Sequence, residues 1–466
     1  MAQRRSFRAG VRVLALVAGA LMVHLNHVWA ETTPLPNRDD ITVRKVLSTT
    51  APSVAIRLAR DPRDGTLYLA RRSGNIFRID LATPALTLVY GAGAHGLHNA
   101  QGFAIGPDGT MYVVGNADVS GMRTQATIVK GVPQPGGGRL WSVLAQTEPY
   151  PKSNTPYDHR FNGLAVGPDG ALLFVNSGSR TDHGEVESAG GLYPETREVG
   201  LTACILRLPT RGADIVLRND RSWLKSNGYL FAEGTRNSFD LAFSPQGDLF
   251  ATENGPTNDT SDELNWLRPG RHYGFPWRIG GGNNPQQFPG YNPDNDKLLN
   301  PVFEAVSEGL WHTDPGFPKR PAVPMIEPIV NRGPDADRIR DRVTGDIADA
   351  SDLGRGVRTF TAHRSPLGLV FDQENALSPE FRGDGFVLAW STGDPAGDSL
   401  AGPFEDAGQD LLHLAFTKKN GAYFVKATQI VSGFNNPIDA AMAGNVIWVL
   451  DYGGTQALWE VTLPKE

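Results

Sequence analysis

The stretch Glu253-Asn254-Gly255-Pro256-Thr257-Asn258-Asp259-Thr260-Ser261-Asp262-Glu263 gathers hard oxygen donors around a Gly-Pro turn. Calcium takes roughly six to eight oxygens from carboxylates, side-chain amides and backbone carbonyls. The stretch therefore reads as a calcium loop, with Glu253, Asp262 and Glu263 as acids and Gly255 and Pro256 as carbonyl donors. A solvated acidic turn has a similar composition, because Asn, Asp, Gly and Pro dominate turns in general, so the chemistry upstream must decide. Two clusters stand there. Arg236, in Gly234-Thr235-Arg236-Asn237, could grip a carboxylate or steady a developing negative charge, since its planar fork stays protonated. His159, after Asp158, could act as a neutral general base. Taken singly, the arginine reads equally as a surface ion pair and the histidine as a structural residue.

Residues so far apart can meet only if the fold brings them together. A short phrase recurs: Gly65 to Ala70, Gly109 to Val114, Gly170 to Val175, Gly247 to Thr252, Gly385 to Ala389 and Asn445 to Leu450. Each is a tight turn followed by β-branched or aromatic residues, the pattern of a short buried strand. A second apolar phrase precedes most of these turns, as in Gly102-Phe103-Ala104-Ile105, Gly163-Leu164-Ala165-Val166, Leu241-Ala242-Phe243 and Gly368-Leu369-Val370-Phe371. Together they predict six hairpins. With 53 glycines, 34 prolines and no long helical period, the chain is expected to be an all-β, six-bladed β-propeller with long inserted loops. Gly280 to Asn300 and Arg332 to Arg358 read as such loops, expected to help roof a central pocket. The phrase Leu458-Trp459-Glu460-Val461 is expected to close the ring near Ile76-Phe77-Arg78-Ile79.

Residues 1–30 read as a secretory signal: Arg4, Arg5, Arg8 and Arg12, then an apolar run from Val13 to Val23, then Val28-Trp29-Ala30. Arg4-Arg5-Ser6-Phe7 also resembles a twin-arginine signal. The remainder, 31–466, is expected to be one exported domain, periplasmic or secreted, with no membrane span. Loss of the four signal arginines moves the net charge from −6 to −10, which disfavours nucleic acid as a partner. The single cysteine, Cys204, cannot make an internal disulfide and reads as a small buried hydrophobe. No Cys-x-x-Cys-His haem motif is present, so any electrons taken from a substrate must pass to a separate acceptor.

In order, His159 with Gly167-Pro168-Asp169, Gly234 to Asn237 before Leu241-Ala242-Phe243, Glu253 to Asn265, Tyr273-Gly274-Phe275-Pro276, and Pro366 to Leu369 with Arg382-Gly383-Asp384 resemble the soluble quinoprotein glucose/sorbosone and aldose sugar dehydrogenases. That family uses pyrroloquinoline quinone (PQQ) with calcium. The resemblance implies oxidation of an aldose or related polyol, with His159 taking the hydroxyl proton as hydride passes to the quinone. It implies that Arg236 polarises a quinone carbonyl, that Asn237 and Asn254 hydrogen-bond the cofactor with Asp158 as a further contact, and that the Gly255 and Pro256 carbonyls hold the calcium.

The chain also departs from the family pattern. Trp390-Ser391-Thr392-Gly393-Asp394-Pro395 stands where the family carries an arginine against a PQQ carboxylate, and Ser238 and Asp240 replace the usual Pro and Gly. Arg364, Arg358 or a lysine elsewhere are the candidate substitutes. Two other functions fit the same residues: a calcium-dependent hydrolase such as a lactonase, and a non-catalytic propeller that binds a partner around a structural calcium.

Overall fold

The computed structural model describes residues 32–391, 404 and 406–465. Residues 1–30, expected to be a signal, and Thr392 to Pro395 lie outside the described residues. Thr33 to Glu466 pack as one compact unit. Six sheets, antiparallel apart from short parallel additions at the outer strands of three of them, form a six-bladed β-propeller. Their innermost strands are Ala55–Arg60, Ala100–Ile105, Phe161–Val166, Asp240–Phe243, Pro366–Phe371 and Pro437–Ala443. Each pairs with the strand that follows it, in the six hairpins legible from the sequence. In blades two and three the turn is Pro-Asp-Gly, with Gly109 and Gly170 at φ +77° and +70°. The aspartate before each glycine accepts the amide two residues on, at 2.9 Å.

Consecutive inner strands touch around the whole circle, from the first blade to the sixth and back. The six main apolar clusters among the described residues each fill one seam between neighbouring blades. Phe161, Leu164 and Leu173 meet Tyr112 and Ile128 between blades two and three, and Phe250 meets Phe371 and Leu414 between blades four and five. Cys204 lies in the first of these seams, fully buried and unpaired. Propeller stability therefore rests on seams rather than on one central core.

At the axis, three inner strands carry glycine and three carry charge. A Cβ on Gly102 would lie 1.9 Å from the Asn162 carbonyl, and one on Gly163 would lie 2.7 Å from the Phe239 carbonyl. The space so made is filled by Arg57, 3% exposed, with Asp240 and Asp439 at 3.6 and 3.7 Å. Arg57 stacks on Phe239 at 4.1 Å and donates to the Gln101 and Phe239 carbonyls at 3.0 and 2.8 Å. These three ionisable side chains line a further cavity of about 230 Å³, and Arg57 braces Gln101 and Phe239, which line the cavity at His159.

Two expectations need correction. Ala457–Thr462 pairs not with Ile76–Asp80 but with Thr42–Ser48, which becomes the outermost strand of the sixth blade. Ile76–Asp80 lies between its own neighbours in the first blade. The two long loops are also more ordered than expected. They hold the small hairpins Arg278–Ile279 with Gly282–Asn283 and Arg338–Arg340 with Ile347–Asp349, and neither lines the cavity at His159. Among the described residues, no helix is long and apolar enough to cross a membrane.

Candidate active site

His159 stands just before the third inner strand. The preceding loop is tightened by Asp158, whose two oxygens accept the Ser153 and Asn154 amides at 2.8 and 2.9 Å. The imidazole Nδ1 lies 3.3 Å from Ser179 Oγ. That hydroxyl donates to the Thr181 carbonyl at 2.7 Å, so it is the acceptor toward histidine. Nδ1 therefore carries the proton and Nε2 keeps its lone pair. Burial, and then the positive charge of Arg236, push the imidazole down to about 3, against a smaller opposing pull from Asp182. Gly178 is required beneath it, since a Cβ there would come within 2.4 Å of the His159 Cβ.

His159 faces a cavity of about 430 Å³, within the usual range for a small-ligand site. Arg72, Lys152 and Arg160 give its wall positive charge, and Asn162, Asn237 and Phe239 line its inner side. The amides form a connected set. Asn176 donates to Asn162 at 2.7 Å, Asn162 to Asn237 at 3.0 Å, and Asn237 to Asn254 at 3.0 Å. Asp158 is the one acid in the lining, and it is committed to its own loop.

Arg236 lies just behind. Its guanidinium donates to Asp182 Oδ1 at 2.8 Å, to the Asp182 carbonyl at 2.7 Å and to the Asn254 carbonyl at 3.1 Å. The Ser179 amide donates to the Arg236 carbonyl at 2.6 Å, so one serine touches both Arg236 and His159. Burial alone would raise the Asp182 carboxyl, but the His183 hydrogen bond and the charge of Arg236 hold it below the usual range. Asp182, Ser179 and Asn162 went unremarked in the sequence. Ser179 and Asp182 lie in irregular chain after Leu172–Ser177, with no motif around them.

The predicted metal loop is built as a set of hydrogen-bonded acids. Asp262 accepts the Gly255 amide at 2.6 Å and the Ser365 amide at 2.8 Å. Glu253 accepts the Arg236 amide and Ser238 Oγ, while Glu263 accepts the Gly280 amide at 2.7 Å and Asn265 Nδ2 at 2.9 Å. Glu253 and Glu263 face each other across paired strands. Burial raises both, Glu253 to about 7, and the charge of Glu253 lifts Glu263 further. Among the described residues, no three carboxylate, imidazole or thiolate groups stand together as a ready metal cage. A cation here would need carbonyl oxygens from the loop, such as those of Gly255 and Pro256, beside the buried acidic pair, whose Glu253 also feels the positive charge of Arg236. That donor chemistry suits calcium.

The candidate anion partners also resolve. Arg364 is buried in ion pairs with Asp406 and Asp410, and Arg358 donates to the Pro328 carbonyl at 3.2 Å in a different cavity. Arg72, Lys152 and Arg160 are the cations at His159 instead, with Lys152 and Arg160 paired to Asp118 at 3.2 and 2.8 Å.

A cation-walled pocket with an unprotonated imidazole, at the end of a six-bladed propeller, defines a small-molecule enzyme site on that scaffold. The glucose/sorbosone dehydrogenase family model matches residues 62–304, so this chain belongs to that family and is an oxidoreductase that acts on sugars. Solved structures share the fold at low identity. The putative oxidoreductase (glucose dehydrogenase) of Thermus thermophilus is 21% identical, covering 90% of this chain and 99% of its own, with a TM-score of 0.51. The apo soluble aldose sugar dehydrogenase of Escherichia coli is 14% identical over 91% and 99%, with a TM-score of 0.54. The PQQ-bound aldose sugar dehydrogenase of Streptomyces coelicolor is 16% identical over 92% and 99%, with a TM-score of 0.51. No curated protein sequence matches the chain.

Proposed function

We propose that this protein is a PQQ- and calcium-dependent dehydrogenase that oxidises the hydroxyl-bearing carbon of an aldose or related polyol. The observation that carries this reading is the lone pair left on Nε2 of His159, a residue that lines one cavity with Arg72, Lys152 and Arg160. PQQ, when bound, supplies the two-electron acceptor for the hydride that leaves the sugar. Nε2 of His159 takes the hydroxyl proton, and the Ser179 hydroxyl holds the ring in the required tautomer. Arg72, Lys152 and Arg160 neutralise the cofactor carboxylates, in place of the arginine absent near Trp390. Asn237, with Asn254 behind it and Asp158 in the loop beside it, shapes the cofactor rim. Arg236, held by Asp182, contributes positive potential where negative charge grows. The Gly255 and Pro256 carbonyls would hold calcium, with Glu253, Asp262 and Glu263 fixing and charging that loop. Residues 1–30 direct export, and 31–466 work outside the cytoplasm as one domain that passes electrons to a separate acceptor.

The test is reconstitution of the secreted chain with calcium and PQQ, following reduction of an artificial dye with a panel of sugars. Sugar-dependent reduction should fall about 10²- to 10⁴-fold in His159→Ala, the usual span of a lost general base. Lactone hydrolysis without PQQ, or no change in melting temperature on adding PQQ and calcium, would overturn the assignment.

A further inference from the structure

The two inserted segments meet in a second cavity of about 200 Å³, beside the Asp259–Ser261 turn. Its wall carries Arg338, Arg340, Arg342 and Arg358, and Asp259 as its single acid. That acid is already engaged, by Arg340 Nε at 2.7 Å and His363 Nε2 at 3.0 Å. Arg338 and Arg358 donate only to the neutral carbonyls of Phe404 and Pro328, at 2.7 and 3.2 Å. Arg342 has no hydrogen bond or ion pair among the described residues. Asp296, whose charge reaches Arg342, is itself held by Tyr291 Oη at 2.9 Å and the Leu298 amide at 3.0 Å.

The arginines are seated rather than loose. A Cβ on Gly281 would strike Arg358 Cγ at 2.5 Å, and one on Gly282 would strike Arg342 Nη2 at 2.0 Å. Gly281 thus seats the aliphatic stem of Arg358 and Gly282 the guanidinium of Arg342, while Gly280 lines the cavity itself. Guanidinium stays charged at any ordinary pH, and its planar fork matches a tetrahedral oxyanion. Four such groups face one committed carboxylate in the lining, with Asp296 as a further negative charge near Arg342, so positive charge exceeds negative charge around the cavity.

We propose that this cavity is an oxyanion site for a phosphoryl group, either as free phosphate or carried on a sugar. It is separate from the His159 cavity and does not depend on the redox reading. Calorimetry on the full exported chain at low salt, titrated with inorganic phosphate, glucose 6-phosphate and glucose, tests it. Phosphate should bind, and at least about tenfold more weakly to Arg342→Gln and to Arg358→Gln, since each removes charge-assisted hydrogen bonds. Arg342→Gln should melt at the wild-type temperature, because Arg342 holds nothing in place. Arg72→Gln, in the other cationic cavity, should keep the phosphate site. Tighter binding of glucose 6-phosphate than of phosphate would assign a sugar phosphate, and equal binding would assign the free ion. Absence of phosphate binding, wild-type affinity in Arg342→Gln, or loss confined to Arg72→Gln would overturn the proposal.

Discussion

Asp182→Asn tests what holds Arg236 in place, and also removes the charge that faces His183 and Thr257. The substitution keeps the side chain's shape and the two carbonyl bonds to the guanidinium, but removes the charge 2.8 Å from Nη2. At that separation, and an effective dielectric of about 20, the lost attraction is about 6 kcal/mol. Water and neighbouring groups return part of it, and stranding one partner of a buried pair typically costs about 3–5 kcal/mol. Glu253, whose carboxyl sits on the Arg236 amide and is raised to about 7, can ionise in response, which favours the lower end, about 3 kcal/mol. Urea unfolding at pH 7, followed by tryptophan fluorescence, would be run on Asp182→Asn, Arg236→Gln and the double variant. The double variant should lose at least about 2 kcal/mol less than the sum of the singles, because no lone buried charge remains. Losses additive within about 0.5 kcal/mol, or an Asp182→Asn loss below about 1 kcal/mol, would refute the account of Arg236 as a charge held by Asp182.

Gly178→Ala should displace His159, costing about 1–3 kcal/mol in stability and cutting sugar-dependent dye reduction at least about tenfold; melting curves and steady-state rates check both. The unfolded chain protonates His159 below about pH 6.5, whereas the folded imidazole stays neutral down to about 3, so this group makes stability fall as pH drops through that window. His159→Gln should flatten the wild-type slope by up to about 1.4 kcal/mol per pH unit, seen by comparing urea midpoints at pH 5 and 7. Asp439 runs the other way: burial and then Asp240 raise it to about 8 despite Arg57, so the folded state keeps a proton that the unfolded chain releases, and stability is lost as pH rises from about 4 to 8. Asp439→Asn should therefore be neutral or stabilising at pH 7, while Arg57→Met, which leaves two buried acids alone, should cost about 3 kcal/mol or more in the same urea assay.

The six inner hairpins were legible because their signals are local. A Pro-Asp-Gly turn between two apolar runs specifies its own register, as around Gly109 and Gly170. His159 and Arg236, expected together from the family resemblance, are joined through Ser179 but line different cavities. Ring closure was not legible, because Thr42–Ser48 is mostly polar and its partner Ala457–Thr462 lies at the far end of the chain. Asp182 was hidden for a related reason: its meaning comes only from Arg236 and Thr257, which another blade and its loop present to it. The loop acids were read by composition as ligands, whereas composition cannot tell a carboxylate aimed at an ion from one accepting backbone amides, as Asp262 does.

The pairing of Thr42–Ser48 with Ala457–Thr462 makes the last blade a composite of two distant segments, 416 residues apart at Arg44 and Glu460. During translation the earlier strand must wait, unpaired, until the later one has emerged. A product that stops short leaves an open circle with a bare strand edge, the kind of surface that proteases and aggregation act upon. Synthesis through the strand Ala457–Thr462 is in this way checked by the geometry of the ring.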